Sequence, residues 1–232
     1  MKLYAGTSGY SYKEWKGHFY PEKIPNDQML AFYATKLPSV EINNTFYRMP
    51  RASMLATWAE RVPADFRFVL KASQRITHFK RLNNAEEETR YLLETVETLE
   101  AKLGVLLFQL PPNMKKDLER LDAFLETLPE GTRAAFEFRH ATWFDDDVYD
   151  ALRRRDLPLC LADADDALEV PLVSTADWGY LRLRRPGYTD QDMRRWIDWI
   201  GQQGWKEAYV FFKHEDEAAG PKMAVRFLEL AR

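Results

Sequence analysis

Eight short apolar runs recur along this 232-residue chain, and seven of them end in an ionisable or amide side chain. The seven are Val40-Glu41-Ile42-Asn43, Phe68-Val69-Leu70-Lys71, Val105-Leu106-Leu107-Phe108-Gln109, Ala135-Phe136-Glu137-Phe138-Arg139, Leu159-Cys160-Leu161-Ala162-Asp163, Tyr180-Leu181-Arg182-Leu183-Arg184 and Tyr209-Val210-Phe211-Phe212-Lys213. The eighth is the opening Met1-Lys2-Leu3-Tyr4-Ala5-Gly6, which reads as a first strand rather than a signal peptide. Most runs precede a stretch of helical period. A buried strand feeding a helix is the repeating unit of a parallel sheet covered on both faces.

The expected strands cover residues 2–6, 39–43, 66–71, 104–109, 133–138, 158–162, 178–184 and 207–212. Helices are expected near 28–36, 51–61, 86–102, 115–128, 143–155, 190–203 and 220–231. In 86–102, Tyr91, Leu92, Val96, Leu99 and Leu103 recur at helical steps, with Gly104 expected as the stop. Leu118, Leu121, Phe124, Leu125 and Leu128 repeat the pattern before Pro129. Val170-Pro171-Leu172-Val173 is a candidate short extra strand. No Ser/Gly-rich linker interrupts residues 1–232, so one domain is expected. Units of about 29 residues suit a TIM-barrel-like (β/α)8 fold near its lower size limit. An open doubly wound sheet is the alternative, but no internal run is polar enough to be an edge.

Ligand chemistry in parallel α/β folds gathers at the carboxyl ends of the strands. Strand alternation sends Val40, Ile42, Phe136, Phe138, Leu181 and Leu183 outward under the helices, and Glu41, Asn43, Glu137, Arg139, Arg182 and Arg184 inward. Lys71, Gln109 and Asp163 end their strands at the same level. This places carboxylates, cations and amides around one mouth, where they must pair with one another or with a polar ligand.

Two loops stand over that mouth. Residues 6–28 carry Tyr10, Tyr12, Trp15, Phe19 and Tyr20, suited either to stacking on a sugar or base or to plugging the barrel as a lid. Residues 74–81, Gln74-Arg75-Ile76-Thr77-His78-Phe79-Lys80-Arg81, are basic with interleaved aromatics, and could hold phosphate or remain a solvated loop. The histidines His18, His78, His140 and His214 show no metal-site spacing, so no cofactor and no metal ligands are assigned, while a divalent metal stays open. Cys160, the single cysteine, lies mid-strand and is expected to pack; an intrachain disulfide is excluded. The net charge of −3 argues against a polyelectrolyte binder acting through overall charge. No apolar run reaches the roughly 18 residues of a membrane span, and a cytoplasmic location is expected.

Several short motifs, in order, resemble the YecE-like family, domain of unknown function 72. They are Gly6-Thr7-Ser8-Gly9-Tyr10-Ser11-Tyr12 with Trp15 and Phe19-Tyr20-Pro21, Glu41-Ile42-Asn43-Asn44-Thr45-Phe46-Tyr47, Lys71-Ala72-Ser73, Gln109-Leu110-Pro111-Pro112, and Glu137-Phe138-Arg139-His140 with Trp143. The resemblance implies a TIM-barrel-like fold and no particular reaction. Two departures stand out. The family's seventh strand commonly ends Arg-x-His-Gly, where this chain has Arg182-Leu183-Arg184-Arg185. Its eighth commonly ends Phe-Asn-Asn, where this chain has Phe212-Lys213-His214. Both replacements favour a more anionic ligand.

The expected function is therefore an enzyme acting at the mouth on a small anionic or sugar-like molecule by hydrolysis, elimination or isomerisation. Glu137 is the expected acid or base, with Glu41 or Asp163 as its carboxylate partner. Lys71, Arg139, Arg182, Lys213 and His78 would hold an anion; Asn43, Gln109, Tyr10, Tyr12, Trp15 and His214 would shape the rest of the site. The alternatives are a nucleic-acid binder or metal-dependent phosphodiesterase, supported by the basic loop, and a non-catalytic metabolite binder.

Overall fold

A computed structural model describes residues 1–164, 168–213 and 216–232. Eight strands form one all-parallel sheet: β1 (Lys2–Ser8), β2 (Ser39–Ile42), β3 (Arg67–Lys71), β4 (Leu103–Gln109), β5 (Ala134–Glu137), β6 (Cys160–Asp163), β7 (Gly179–Leu183) and β8 (Glu207–Phe212). Their order is β5-β4-β3-β2-β1-β8-β7-β6. The first strand thus pairs with both the second and the last. The two ends of the sheet meet through a single bridge, Phe136 with Leu159, where the Phe136 amide donates to the Pro158 carbonyl at 3.0 Å. This is a nearly closed TIM-barrel-like fold with one narrow seam.

The helices are α1 (Met29–Ala34), α2 (Asn44–Tyr47), α3 (Ala52–Glu60), α4 (Glu86–Val96), α5 (Leu118–Glu126), α6 (Asp146–Arg153), α7 (Asp190–Gln202) and α8 (Ala219–Leu230). Local chemistry accounts for several of their starts. Glu86, Glu87 and Glu88 meet the positive end of the α4 dipole. Asp117 accepts the Arg120 amide ahead of α5, and Thr189 with Asp192 forms a reciprocal capping box at α7. None of the helices is long and apolar enough to cross a membrane.

Two apolar layers result from strand alternation. Val40, Ile42, Phe68, Phe108, Phe136, Leu181, Leu183, Val210 and Phe212 belong to the large layer beneath the helices. Tyr4, Val69, Val105, Leu107, Ala135, Cys160, Trp178, Tyr180, Tyr209 and Phe211 fill the barrel itself. At the amino-terminal end of the barrel Arg133 pairs with Glu207 and lies 3.9 Å from the Trp178 ring centroid, closing the floor. Ligand chemistry is left to the opposite end.

Three expectations need correction. The 86–102 helix is not continuous: beyond Val96 it tightens into a 3-10 segment, and Glu100 adopts φ +49°. Gly104 consequently caps nothing; it sits in β4, where an added Cβ would lie 3.0 Å from the Tyr209 ring. Its glycine is required by close packing inside the barrel. Residues 170–173 form no strand. The short helix α2, unforeseen because four residues carry no periodicity, brings Phe46 to the mouth.

Candidate functional site

At the carboxyl ends of the strands, five polar side chains form one connected network. Arg182, on β7, donates from Nη1 to Glu137 Oε2 at 2.6 Å and from Nη2 to Glu41 Oε1 at 2.9 Å. Glu41 also accepts from Tyr180 Oη at 2.6 Å, Ser8 Oγ at 2.8 Å and Asn43 Nδ2 at 3.2 Å. Glu137 accepts from Gln109 Nε2 at 2.8 Å, and the amide oxygen of Gln109 accepts from Lys71 Nζ at 2.8 Å. The chain of bonds therefore runs Glu41–Arg182–Glu137–Gln109–Lys71 across β2, β7, β5, β4 and β3. Arg182 and both glutamates are buried, at 3% or less of side-chain exposure. Such a layer is stable only because nearly every polar atom is met. One exception stands at its centre: among the described residues Arg182 Nε has no hydrogen-bond partner.

The backbone sets these positions. Gly9 turns the chain out of β1 at φ +92°, and its amide donates to the Glu41 carbonyl at 2.7 Å. Thr45 donates its hydroxyl to the Lys71 carbonyl at 2.7 Å, tying the start of α2 to the end of β3. The same short helix presents Phe46, whose ring centroid lies 4.0 Å from Lys71 Nζ. His78 packs edge-on against that ring at 4.8 Å, and its Nδ1 is 2.9 Å from Thr77 Oγ1.

The electrostatics divide the network in two. Burial opposes ionisation of Glu41, yet the Arg182 charge and the hydrogen bonds from Tyr180, Ser8 and Arg182 outweigh it and hold the carboxyl below its usual range. Glu137 is likewise held ionised against its burial by Arg182, Arg184 and Gln109. Lys71 is shifted the other way. Burial and the field of Arg182 outweigh the opposing pull of Glu137 and Glu41 and bring its ammonium down to about 8. Arg184 and His78 are also pushed down, first by burial and then by neighbouring cations, Arg139 among them. Among the described residues the mouth thus holds Lys71, Arg139, Arg182 and Arg184 against two carboxylates, an excess of positive charge that suits an anion.

The geometry gathers most of the expected residues and separates others. Glu41, Asn43, Lys71, Gln109, Glu137 and Arg182 converge, with Arg139 within electrostatic reach. Asp163 does not join them: it is the outward residue of its pair on β6. It accepts from Tyr188 Oη at 2.7 Å, Arg185 Nε at 3.1 Å and Trp196 Nε1 at 3.3 Å, at the outer edge against α7. Strand alternation explains the difference, since Cys160 and Ala162 take the inward positions of β6. Trp15 is 1% exposed in the large apolar layer, Phe19 packs on Phe32 and Tyr33 of α1, and Tyr12 donates to the Ser8 carbonyl at 2.8 Å, so most of this segment packs against the body of the protein. Tyr10, Tyr12 and Asn43 do line a cavity of about 200 Å³ beside the network. The Lys213 amide donates to the Leu183 carbonyl at 3.3 Å. His214 lies outside the described residues. Ser8, Tyr180 and Phe46 escaped the expected site set, and Arg184 was expected at the mouth without a role in the enzyme reading. Tyr180 was legible as the inward residue two before Arg182, and Ser8 as the inward residue two after Gly6. Among the described residues no group of three His, Cys, Asp or Glu side chains could hold a metal ion.

Comparison with known proteins agrees with the architecture. Residues 4–232 match the model of a family described as "Protein of unknown function DUF72". The chain is 28% identical over 158 residues to the UPF0759 protein YunF of Bacillus subtilis, covering 64% of this chain and 54% of YunF. It is 30% identical over 116 residues to the UPF0759 protein YecE of Escherichia coli, covering 50% of this chain and 43% of YecE. The matched part therefore spans about half the length of these curated relatives. A crystal structure of a DUF72 family protein from Thermotoga maritima superposes with a TM-score of 0.84 at 24% identity, covering 99% of both chains. A DUF72 family protein from Enterococcus faecalis gives 0.81 at 20% identity, covering 99% of this chain and 95% of the other. With a family match spanning nearly its whole length, the chain belongs to the DUF72 family.

Proposed function

We propose that the protein is an enzyme that takes a small anionic, sugar-like or phosphorylated molecule at the carboxyl end of the barrel, with Lys71 as the group that reacts. The observation behind this reading is the environment of Lys71. Among the described residues it pairs with no carboxylate; its contacts are a neutral amide oxygen and an aromatic face. A lysine kept only for charge balance would sit on Glu41 or Glu137, and Arg182 already occupies both. Arg184 and Arg139 would hold the anion.

Glu137, expected from the sequence as the central acid or base, takes a different part in this reading. Arg182 and Gln109 engage its two oxygens, so it orients the Gln109 amide, which in turn presents only its oxygen to Lys71. Glu137 and Glu41 are positioning residues. Reaction at a lysine amine suits isomerisation or elimination better than hydrolysis.

The test is a thermal-shift series with inorganic phosphate, phosphorylated sugars, sugar acids, oligonucleotides and divalent metals, on the wild type and on Arg184→Met. Saturation at about 100 times Kd is worth about 2.7 kcal/mol of added stability. The proposal expects anionic ligands to stabilise the wild type and to lose that effect in Arg184→Met. Equal stabilisation of both proteins would place the anion elsewhere.

A second reading, binding of single-stranded nucleic acid, has one specific observation in its favour. Tyr47 and Phe79 are each 71% exposed beside the mouth, on the segments that carry Arg48, Arg51 and Arg75. Bases stack on such rings while cations track phosphates. Oligonucleotide affinity that falls steeply with salt and with Tyr47→Ala would favour it.

A further inference from the structure

We propose that Lys71 forms a covalent imine with a carbonyl carbon of its substrate, so that the ligand class is a small aldehyde or ketone bearing an anionic group. The inference rests on the mouth reading above and specifies its chemistry.

Three geometric features support it. First, Lys71 Nζ is tethered by one hydrogen bond to an acceptor of fixed polarity. Gln109 Nε2 is committed to Glu137, so only the amide oxygen faces the lysine. A neutral amine satisfies that contact with one N–H and keeps its lone pair for attack. Second, Arg182 makes its ion pairs with Glu41 and Glu137 and leaves neither to Lys71, and its like charge together with burial outweighs the pull of those glutamates on the ammonium. Desolvation beside cations is how lysine amines become nucleophilic. Third, the end of β3 is anchored: Lys71 pairs with Leu107 in the sheet, and Thr45 holds its carbonyl. The nucleophile stands on a rigid element with Arg184 close enough for the two cations to feel each other. An anionic tail on Arg184 would bring a carbonyl a few bonds away toward Nζ.

The step balances without any added redox partner. The Lys71 amine adds to the carbonyl carbon, the carbonyl π pair moves to oxygen, and a proton passes from the nitrogen to that oxygen. The nitrogen lone pair then forms the C–N double bond as the hydroxyl leaves with a proton from solvent as water, so the imine is left protonated on nitrogen. Protonated on nitrogen, the imine draws electrons from the neighbouring carbon and eases loss of a proton there, the event an isomerisation or elimination requires. Hydrolysis by the same water returns the free amine.

Burial supports the timing. With the ammonium brought down to about 8, roughly half of Lys71 is neutral at pH 8, against well under about 1% of an exposed lysine.

The experiment uses the whole chain at pH 8 with glyceraldehyde 3-phosphate as an anionic aldehyde and glycerol 3-phosphate as its carbonyl-free counterpart. Sodium borohydride reduces any imine to a stable secondary amine, and peptide mass mapping locates the adduct. The expected result is labelling of Lys71 at least about tenfold over exposed lysines, suppressed by excess glycerol 3-phosphate and absent in Lys71→Met. If glycerol 3-phosphate stabilises the protein while Lys71 stays unlabelled, the imine is wrong and the anion-binding mouth stands. If neither compound shifts the melting temperature and labelling spreads evenly over surface lysines, both readings fail. The peptide map of the wild type decides the matter even if Lys71→Met does not fold.

Discussion

Arg182 and Glu137 meet at 2.6 Å in the top layer of the barrel, both almost completely removed from water, and the same guanidinium also holds Glu41. One cation therefore neutralises two buried carboxylates that lie on different strands and far apart in sequence. The layer beneath it is largely aromatic and aliphatic. The arrangement makes Arg182 the structural centre of the mouth and leaves Lys71 without a carboxylate partner among the described residues.

Replacing Arg182 by Met should be strongly destabilising, by about 3–5 kcal/mol, because two buried carboxylates lose the guanidinium that hydrogen-bonds to both. The triple variant Glu41→Gln, Arg182→Met, Glu137→Gln should be more stable than Arg182→Met alone, since it removes the orphaned charges as well. Urea denaturation of both proteins checks the order. A triple variant less stable than the single one would mean that packing, not charge, governs this layer.

The carboxylates set the acid limit. Glu41 and Glu137 titrate lower in the folded protein than the roughly 4.3 of an unfolded glutamate, so the folded state favours their ionised forms. Their stabilisation is complete above that unfolded value and drains away as pH falls through the folded values. Unfolding free energy measured from pH 6 down to pH 3 should drop more steeply for the wild type than for Glu137→Gln. Parallel curves would remove Glu137 from the acid transition.

Lys71 gives the same sign of pH dependence at high pH, here because its charged form is disfavoured by folding. Its folded value of about 8 lies below the roughly 10.4 of an exposed lysine, so between those values the unfolded chain binds the extra proton. Stability referred to this group is therefore lowest below about pH 8 and rises from there to about pH 10.4. Wild-type stability should gain on that of Lys71→Met across this window in denaturant titrations. A constant difference from pH 7 to pH 10.5 would show that the amine is not perturbed.

Asp163 supplies a control outside the mouth. It gathers Tyr188, Arg185 and Trp196 against α7, so Asp163→Ala should lower stability by about 1–3 kcal/mol through lost and unmet hydrogen bonds. Stabilisation by inorganic phosphate, as a shift in melting temperature, should survive unchanged. Loss of the phosphate effect in a folded Asp163→Ala protein would extend the site to the outer edge of β6.

Local sequence determined the strand set, the eightfold repeat and the inward face of β2, β5 and β7. Alternation with period two and apolar runs of strand length are properties of neighbouring residues. Glu41, Glu137 and Arg182 could therefore be placed at the mouth before any coordinates. Asp163 could not, because a terminal residue swings inward or outward with a shift of one position, and only the pairing of Cys160 with Tyr180 sets that phase. The role of Gly104 also depended on a contact across the barrel, with Tyr209. Above all, which cation would neutralise the glutamates and which would be left with an amide and a ring was a tertiary decision. Arg182 and Lys71 end strands of the same barrel with the same formal charge. The fork of the guanidinium spans two carboxylates at once, and the single ammonium of Lys71 is left to Gln109 and Phe46.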